Sequence, residues 1–295
     1  MRLLILLAVM AIALSCTGAM AATVDREVYI YKGGPVAQDG ITVGGWGSGK
    51  AAESKESTKV LTGSNSIKIT TQGFYSGGRI DFSQPVPLYA DSADPKRYIL
   101  FTFYFDEVKQ IDPAAGTAYS YDIEPYKVPK TSKMRFLFVS DTGVKLAIEE
   151  PTNPLDPDDN WVRVAVPLAK FKDLGDATGF NLKRLAIFTD IPATLYLGEA
   201  KLVTDEAPIK VDSLSGQVVA IYDEVLYLAN ATGGVSSLKY SWDYDAGNGI
   251  QEESSGKLGK YTYTRGGEFT VTLTVSDADG LKAPVTVTAK VMVND

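Results

Sequence analysis

The chain has 295 residues, with 29 Lys and Arg against 36 Asp and Glu and a formal charge of −7. That balance argues against holding nucleic acid through its phosphates, which takes clustered cations. The sequence contains no histidine, which excludes a Ser-His-Asp or Cys-His nucleophile, a His-ligated zinc and an imidazole general base.

The N-terminus reads Met1-Arg2, then an apolar run from Leu3 to Leu14, then Ala19-Met20-Ala21, a small-x-small cleavage site. This pattern predicts a signal peptide over residues 1–21 and an exported chain, secreted or at the cell surface. A membrane span would need about 20 apolar residues, and Ser15 to Gly18 interrupt the run too early. The one cysteine, Cys16, falls inside this segment, so a chain starting at Ala22 carries no disulfide. Lipid attachment at Cys16 is the alternative form of export. What remains is longer than one small sandwich needs and points to two domains.

From Asp25 to about Asp205 short alternating segments are separated by turn residues, and long helical patterns are scarce, which predicts an all-β sandwich. Val28 and Ile30 alternate with Tyr29 and Tyr31. The clearest strand is Tyr98 to Phe105, where Ile99, Phe101, Phe103 and Phe105 share one face and Leu100, Thr102 and Tyr104 the other, so a central position is expected. Met134, Phe136 and Phe138 form the next such face, and Asp141-Thr-Gly143 turns the chain into Val144 to Ile148 as a hairpin. Between them, Lys109 to Ser132 is the longest stretch without a strand pattern. Trp161 to Val166 is a strand, with Trp161 expected in the core. Pro167 to Lys172 suggests one helical turn, and Leu182 to Phe188 and Thr194 to Val203 close the set. Gly63-Ser-Asn-Ser-Ile-Lys-Ile69, the Trp161 strand ending in Val-Pro-Leu168, and Leu195-Tyr-Leu-Gly-Glu-Ala-Lys-Leu202 together resemble the galactose-binding-like jelly roll of many carbohydrate-binding modules. That resemblance covers most of residues 25 to 205, and the first domain is expected over 22–206.

Residues 207–211 read as a linker, because Pro208 offers no amide to a ladder. The second domain is expected over 212–295. Tyr240-Ser-Trp-Asp-Tyr-Asp245, the Gly247-Asn-Gly249 turn and Lys260-Tyr-Thr-Tyr263 lead to Phe269, Val271, Leu273 and Val275, which alternate with polar residues. Val285, Val287, Ala289, Val291 and Val293 repeat the device, and such alternation pins the register. These motifs resemble the polycystic-kidney-disease (PKD) domain, departing from it at Asp245 to Gly249 and at Arg265, where proline is usual. The resemblance implies an immunoglobulin-like sandwich acting as a spacer.

Exposed aromatic rings can stack on the apolar face of a pyranose while neighbouring polar groups bond its hydroxyls. The ligand-binding expectation falls on the glycine-flanked Trp46, on Phe74 and Tyr75, and on Tyr119, Tyr121 and Tyr126, with Arg79, Asp81 or Arg135 bonding hydroxyls. The bland alternative is that these rings plug the ends of the sandwich. Glu149, Glu150, Asp156, Asp158 and Asp159 read as a solvated turn and strand edge, although a glycosidase would need two carboxylates across a cleft. Asp243 and Asp245 fail the EF-hand spacing, and Asp243 is expected to cap its own turn. The jelly-roll resemblance implies a structural calcium held by Asp25, Glu27 and Glu199, with no other cofactor.

The reading is an exported, non-catalytic protein binding a polysaccharide through its jelly roll. A structural or adhesive module contacting another surface protein is the alternative, and a polysaccharide-degrading enzyme a remote one.

Overall fold

The computed structural model describes residues 28–88, 94–115, 123–152, 160–172, 174 and 179–295. The expected signal peptide lies outside them.

In chain order the first sandwich runs β1 (Val28–Tyr31), β2 (Ile41–Trp46), β3 (Lys50–Ser54), β4 (Ser66–Gln72), β5 (Gly77–Pro87) and β6 (Arg97–Phe105). A small ribbon follows, β7 (Val108–Ile111) and β8 (Tyr126–Pro129), and then β9 (Lys133–Ser140), β10 (Lys145–Pro151), β11 (Trp161–Pro167), β12 (Asn181–Thr189) and β13 (Pro192–Thr204). One sheet has the order β11-β6-β13-β4-β3, with β1 also on β13; the facing sheet has the order β10-β9-β12-β5-β2. Strands β4, β13, β6 and β11 against β5, β12, β9 and β10 make the two four-stranded layers of a jelly roll, and β2 and β3 extend its edges.

Alternation drives this packing, since successive side chains on a strand point to opposite faces. Strand β6 is central, and its Ile99, Phe101, Phe103 and Phe105 are buried against Met134, Phe136 and Phe138 of the facing sheet. The Phe101 and Phe136 rings stack at 4.8 Å. Each such side chain is worth about 1.5–3 kcal/mol of burial.

Four details differ from the sequence reading. A bulge between Tyr29 and Tyr31 breaks the alternation of β1, so Ile30 and Tyr31 are both buried. The long loop is closed at its base by the β7–β8 ladder from Val108↔Pro129 to Ile111↔Tyr126. Glu150 is not solvated but 2% exposed, because it faces inward on β10 beside the buried Ile148. Trp161 is not in the inter-sheet core: it lies half-buried on the opposite face of β11, edge-on to Tyr104 at 5.4 Å. It fits there because its partner is a bare backbone, Gly198, where a Cβ would come within 2.6 Å of the indole.

The second sandwich comprises β14 (Lys210–Val211), β15 (Gln217–Ala220), β16 (Glu224–Leu228), β17 (Ala231–Thr232), β18 (Leu238–Asp243), β19 (Ser254–Ser255), β20 (Leu258–Thr262), β21 (Gly267–Asp277) and β22 (Val285–Asn294). Its main sheet has the order β15-β22-β21-β18-β19, faced by the β16–β20 pair. Trp242 is fully buried, donates Nε1–H to the Gly256 carbonyl at 2.9 Å, and lies between Tyr227 and Tyr244. Asp243 caps its turn, accepting from the amides of Asp245 at 2.9 Å and Gln251 at 2.6 Å. The stretch 207–211 is tied down: Ile209 is buried in the second core and Lys210–Val211 pairs with β17.

The two sandwiches are fastened to each other. Val235 packs on Tyr98, Leu100, Ala165 and Val203, and Ser236 donates to the Tyr98 hydroxyl at 3.2 Å. Burial pushes that phenol up to about 12. Asp205 accepts the Val235 amide at 2.7 Å and pairs with Lys282 at 2.6 Å. Lys170 bridges Glu150 at 2.8 Å and Asp279 at 2.7 Å, one carboxylate from each domain.

Candidate ligand-binding face

In the β10-β9-β12-β5-β2 sheet, the core takes Ile41 and Val43, Ile80 and Phe82, Leu185 and Ile187, the β9 aromatics, and Leu146 and Ile148. The residues between them therefore form the outer face. Register aligns Trp46 with Gly77, Phe188 with Arg135, and Arg135 with Glu149. Phe188 also borders Gly77, whose missing Cβ would sit 3.0 Å from its ring. One row of side chains therefore crosses all five strands, a span of roughly 19 Å at about 4.8 Å per strand.

The row is aromatic at one end. Phe188 is buried and props Trp46 edge-on at 6.2 Å and 87°, leaving Trp46 half-exposed. Tyr75, in the turn entering β5, is 76% exposed, and the Arg135 guanidinium lies 5.2 Å from its ring centre. A cation in that place is attracted to the ring's negative face. Phe74, beside it, is half-buried.

One register step along is a charged fork. Arg79 Nε sits 2.8 Å from Asp81 Oδ2, off the line of a hydrogen bond, and Arg184 Nε donates to Asp81 Oδ1. Gly44 leaves the space over which the Arg79 guanidinium lies, 3.3 Å from where a Cβ would be. A guanidinium carries five N–H donors, so each arginine keeps donors for hydroxyl or carboxylate oxygens on this face. Ala186, Leu137 and Ala147 continue the Arg79 row across the other three strands.

The fold thus brings Trp46, Tyr75, Arg79, Asp81 and Arg135 onto one surface. Tyr126 is elsewhere: it starts β8, and its ring lies 5.8 Å from Lys257 Nζ of the second domain. Tyr119 and Tyr121 lie outside the described residues, as do Asp25, Glu27, Asp156, Asp158 and Asp159. Glu199 is nearly buried, accepting from the Thr102 hydroxyl at 3.3 Å and lying 3.5 Å from Lys201. Among the described residues no group of three or more His, Cys, Asp or Glu is placed to hold a metal. Sequence reasoning passed over Arg184 and Phe188. The alternation of Leu182 to Phe188 pairs those two with each other, but only register sets them beside Asp81 and Trp46.

Residues 206–293 match the family model of the PKD domain. No curated protein matches the chain by sequence. Among solved structures, the chain is similar to the PKD domain of human KIAA0319, at 17% identity and a TM-score of 0.24, over 30% of this chain and 82% of that one. It is similar to a family 30 carbohydrate-binding module of a Clostridium thermocellum cellulosomal cellulase, at 14% identity and a TM-score of 0.37, over 61% and 98% of the two chains. It is also similar to a family 11 carbohydrate-binding module from Clostridium thermocellum, solved with a β-1,3-1,4-mixed-linked tetrasaccharide, at 10% identity and a TM-score of 0.32, over 56% and 89%. No helix among the described residues is long and apolar enough to cross a membrane.

Proposed function

We propose that the chain is an exported, non-catalytic protein that binds a polysaccharide across the outer face of the β10-β9-β12-β5-β2 sheet. The observation that carries this reading is one outer face on which the propped Trp46 and the Tyr75 ring stand beside the Arg79–Asp81–Arg184 fork. Stacking rings next to oriented donors are what a pyranose needs. Both oxygens of Asp81 are engaged by guanidiniums, which suits holding a ligand better than transferring a proton.

Exchange of Trp46 or Tyr75 for alanine is expected to weaken binding by about 2 kcal/mol each, some thirtyfold in Kd. A glycan array followed by titration of the best ligand measures it. Folded variants that bind as tightly as the parent chain would remove this face as the site.

The protein-contact alternative has its own surface. Val218 and Met292 are register partners on β15 and β22, 71% and 41% exposed, and Tyr222 nearby in the chain is 69% exposed. Such apolar groups suit an adhesive contact, and pull-down with the Val218→Lys chain would show its loss.

A further inference from the structure

The row on the binding face runs off the sheet at β10, an edge strand. Its last member, Glu149, also lines a cavity of about 590 Å³ between the two sandwiches. On the first domain's side the wall is Lys133, Glu149 and Pro151; on the second domain's side it is Leu238, Tyr240 and Glu252. Lys133 and Pro151 are register partners at the end of the β9–β10 hairpin, so the groove opens where the row ends.

The chemistry of the lining resembles that of the face. Tyr240 offers a half-buried ring, and burial raises its pKa, so its hydroxyl stays neutral and able to donate or accept. Among the described residues the Tyr240 hydroxyl, the Glu149 and Glu252 carboxylates and the Lys133 ammonium make no hydrogen bond or ion pair. An aromatic ring flanked by proline and leucine, with unpaired donors and acceptors around it, has the groups that a sugar's apolar face and hydroxyls need. The walls are held at a set separation: Glu150, next to Glu149, reaches across the joint through Lys170 to Asp279, and Asp205 grips Lys282. A site whose walls are already fixed does not lose affinity to domain ordering.

We infer that this groove is a continuation of the binding face, in which the PKD-like domain contacts further units of the same polysaccharide. The second domain is then part of the binding surface and not only a spacer. This inference rests on the reading of the outer face as a glycan site.

The test is affinity electrophoresis of the mature full-length chain through gels containing mixed-linkage β-glucan, xylan, mannan, pectin or alginate. Tyr240→Phe, Glu252→Gln and Trp46→Ala are run beside the parent chain. Tyr240→Phe removes only a hydroxyl and Glu252→Gln alters an exposed side chain, so folding is retained, and thermal melts verify it. The expected result is retardation by one polysaccharide, weakened three- to tenfold by either groove variant and some thirtyfold by Trp46→Ala. Groove variants retarded like the parent, with Trp46→Ala released, would overturn the inference and leave the face reading standing. A folded parent chain that no polysaccharide retards would overturn both.

Discussion

At the scale of single residues, the chain uses polar side chains to hold loops as well as to present a surface. Asp190 shows this best. Its carboxylate accepts the hydroxyls of Thr131 and Ser132 and the Ser132 amide. Burial works to raise its pKa, but these hydrogen bonds outweigh it and the net shift is downward. A carboxylate whose folded pKa is depressed contributes stability above its unfolded pKa, and that contribution is lost as pH falls through the folded value. Asp190→Asn is therefore expected to cost about 1–3 kcal/mol at pH 7, the scale of hydrogen bonds to a charged group. It should also flatten the loss on acidification below about pH 4. Urea unfolding of both chains at pH 7 and pH 3 checks it, and a variant with the parent's pH dependence would assign the loss to other carboxylates. The sequence could not nominate Asp190, because its three donors are some 58 residues away in the chain and nothing in their local spacing marks them.

At the scale of elements, strands marked by alternation or by apolar runs were legible, and a short polar one was not. Strands β21 and β22 each bury one apolar set, so a one-residue slip would expose it. Val108-Lys109-Gln110-Ile111 has no such pattern, and it forms a strand only because β8 pairs with it. The placement of Trp161 followed the same limit. Alternation places Val162, Val164 and Val166 together in the core and necessarily sends Trp161 to the other side, where Gly198 leaves room. Gly198→Ala is expected to cost about 1–3 kcal/mol, the usual scale of overpacking, since the new methyl would meet both Trp161 and Leu61. A Trp161→Ala background should absorb much of that cost. Denaturant unfolding of the two single variants and the double measures the coupling, and additive costs would show that the indole does not press on Gly198.

At the scale of the whole molecule, the joint between the sandwiches depends on buried charge. Burial raises the Glu150 pKa, and Lys170 only partly offsets it. Burial also opposes the charged form of Lys170, yet hydrogen bonds to Asp279 and Glu150 outweigh it and raise its pKa. A carboxylate with a raised folded pKa loses stability as pH climbs from its unfolded to its folded value, and the contribution of Lys170 is full below its unfolded pKa and is lost as pH rises through its raised folded value. Lys170→Met would leave Glu150 buried without its cation. The expected cost is about 3 kcal/mol at pH 7, the low end of the range for breaking a buried pair, because the lysine is about a third exposed. That cost should shrink on acidification, once Glu150 is protonated. Calorimetry is expected to show the domains melting together in the parent chain and apart in the variant. A variant whose domains still melt as one would show that the contacts of Val235, Ser236 and Asp205 suffice to couple them.

The all-β class and the division into two β-sandwiches could be read from the sequence, because alternation and short turn motifs are local properties of a chain. Which aromatic and arginine residues of the first domain share a surface could not. Trp46, Phe188, Arg135 and Glu149 lie on four different strands, and only sheet order and register place them in one row. The groove beside Tyr240 is further still from local pattern. It exists because ion pairs, hydrogen bonds and the packing of Val235 between distant segments hold two domains together, and tertiary structure alone decides that.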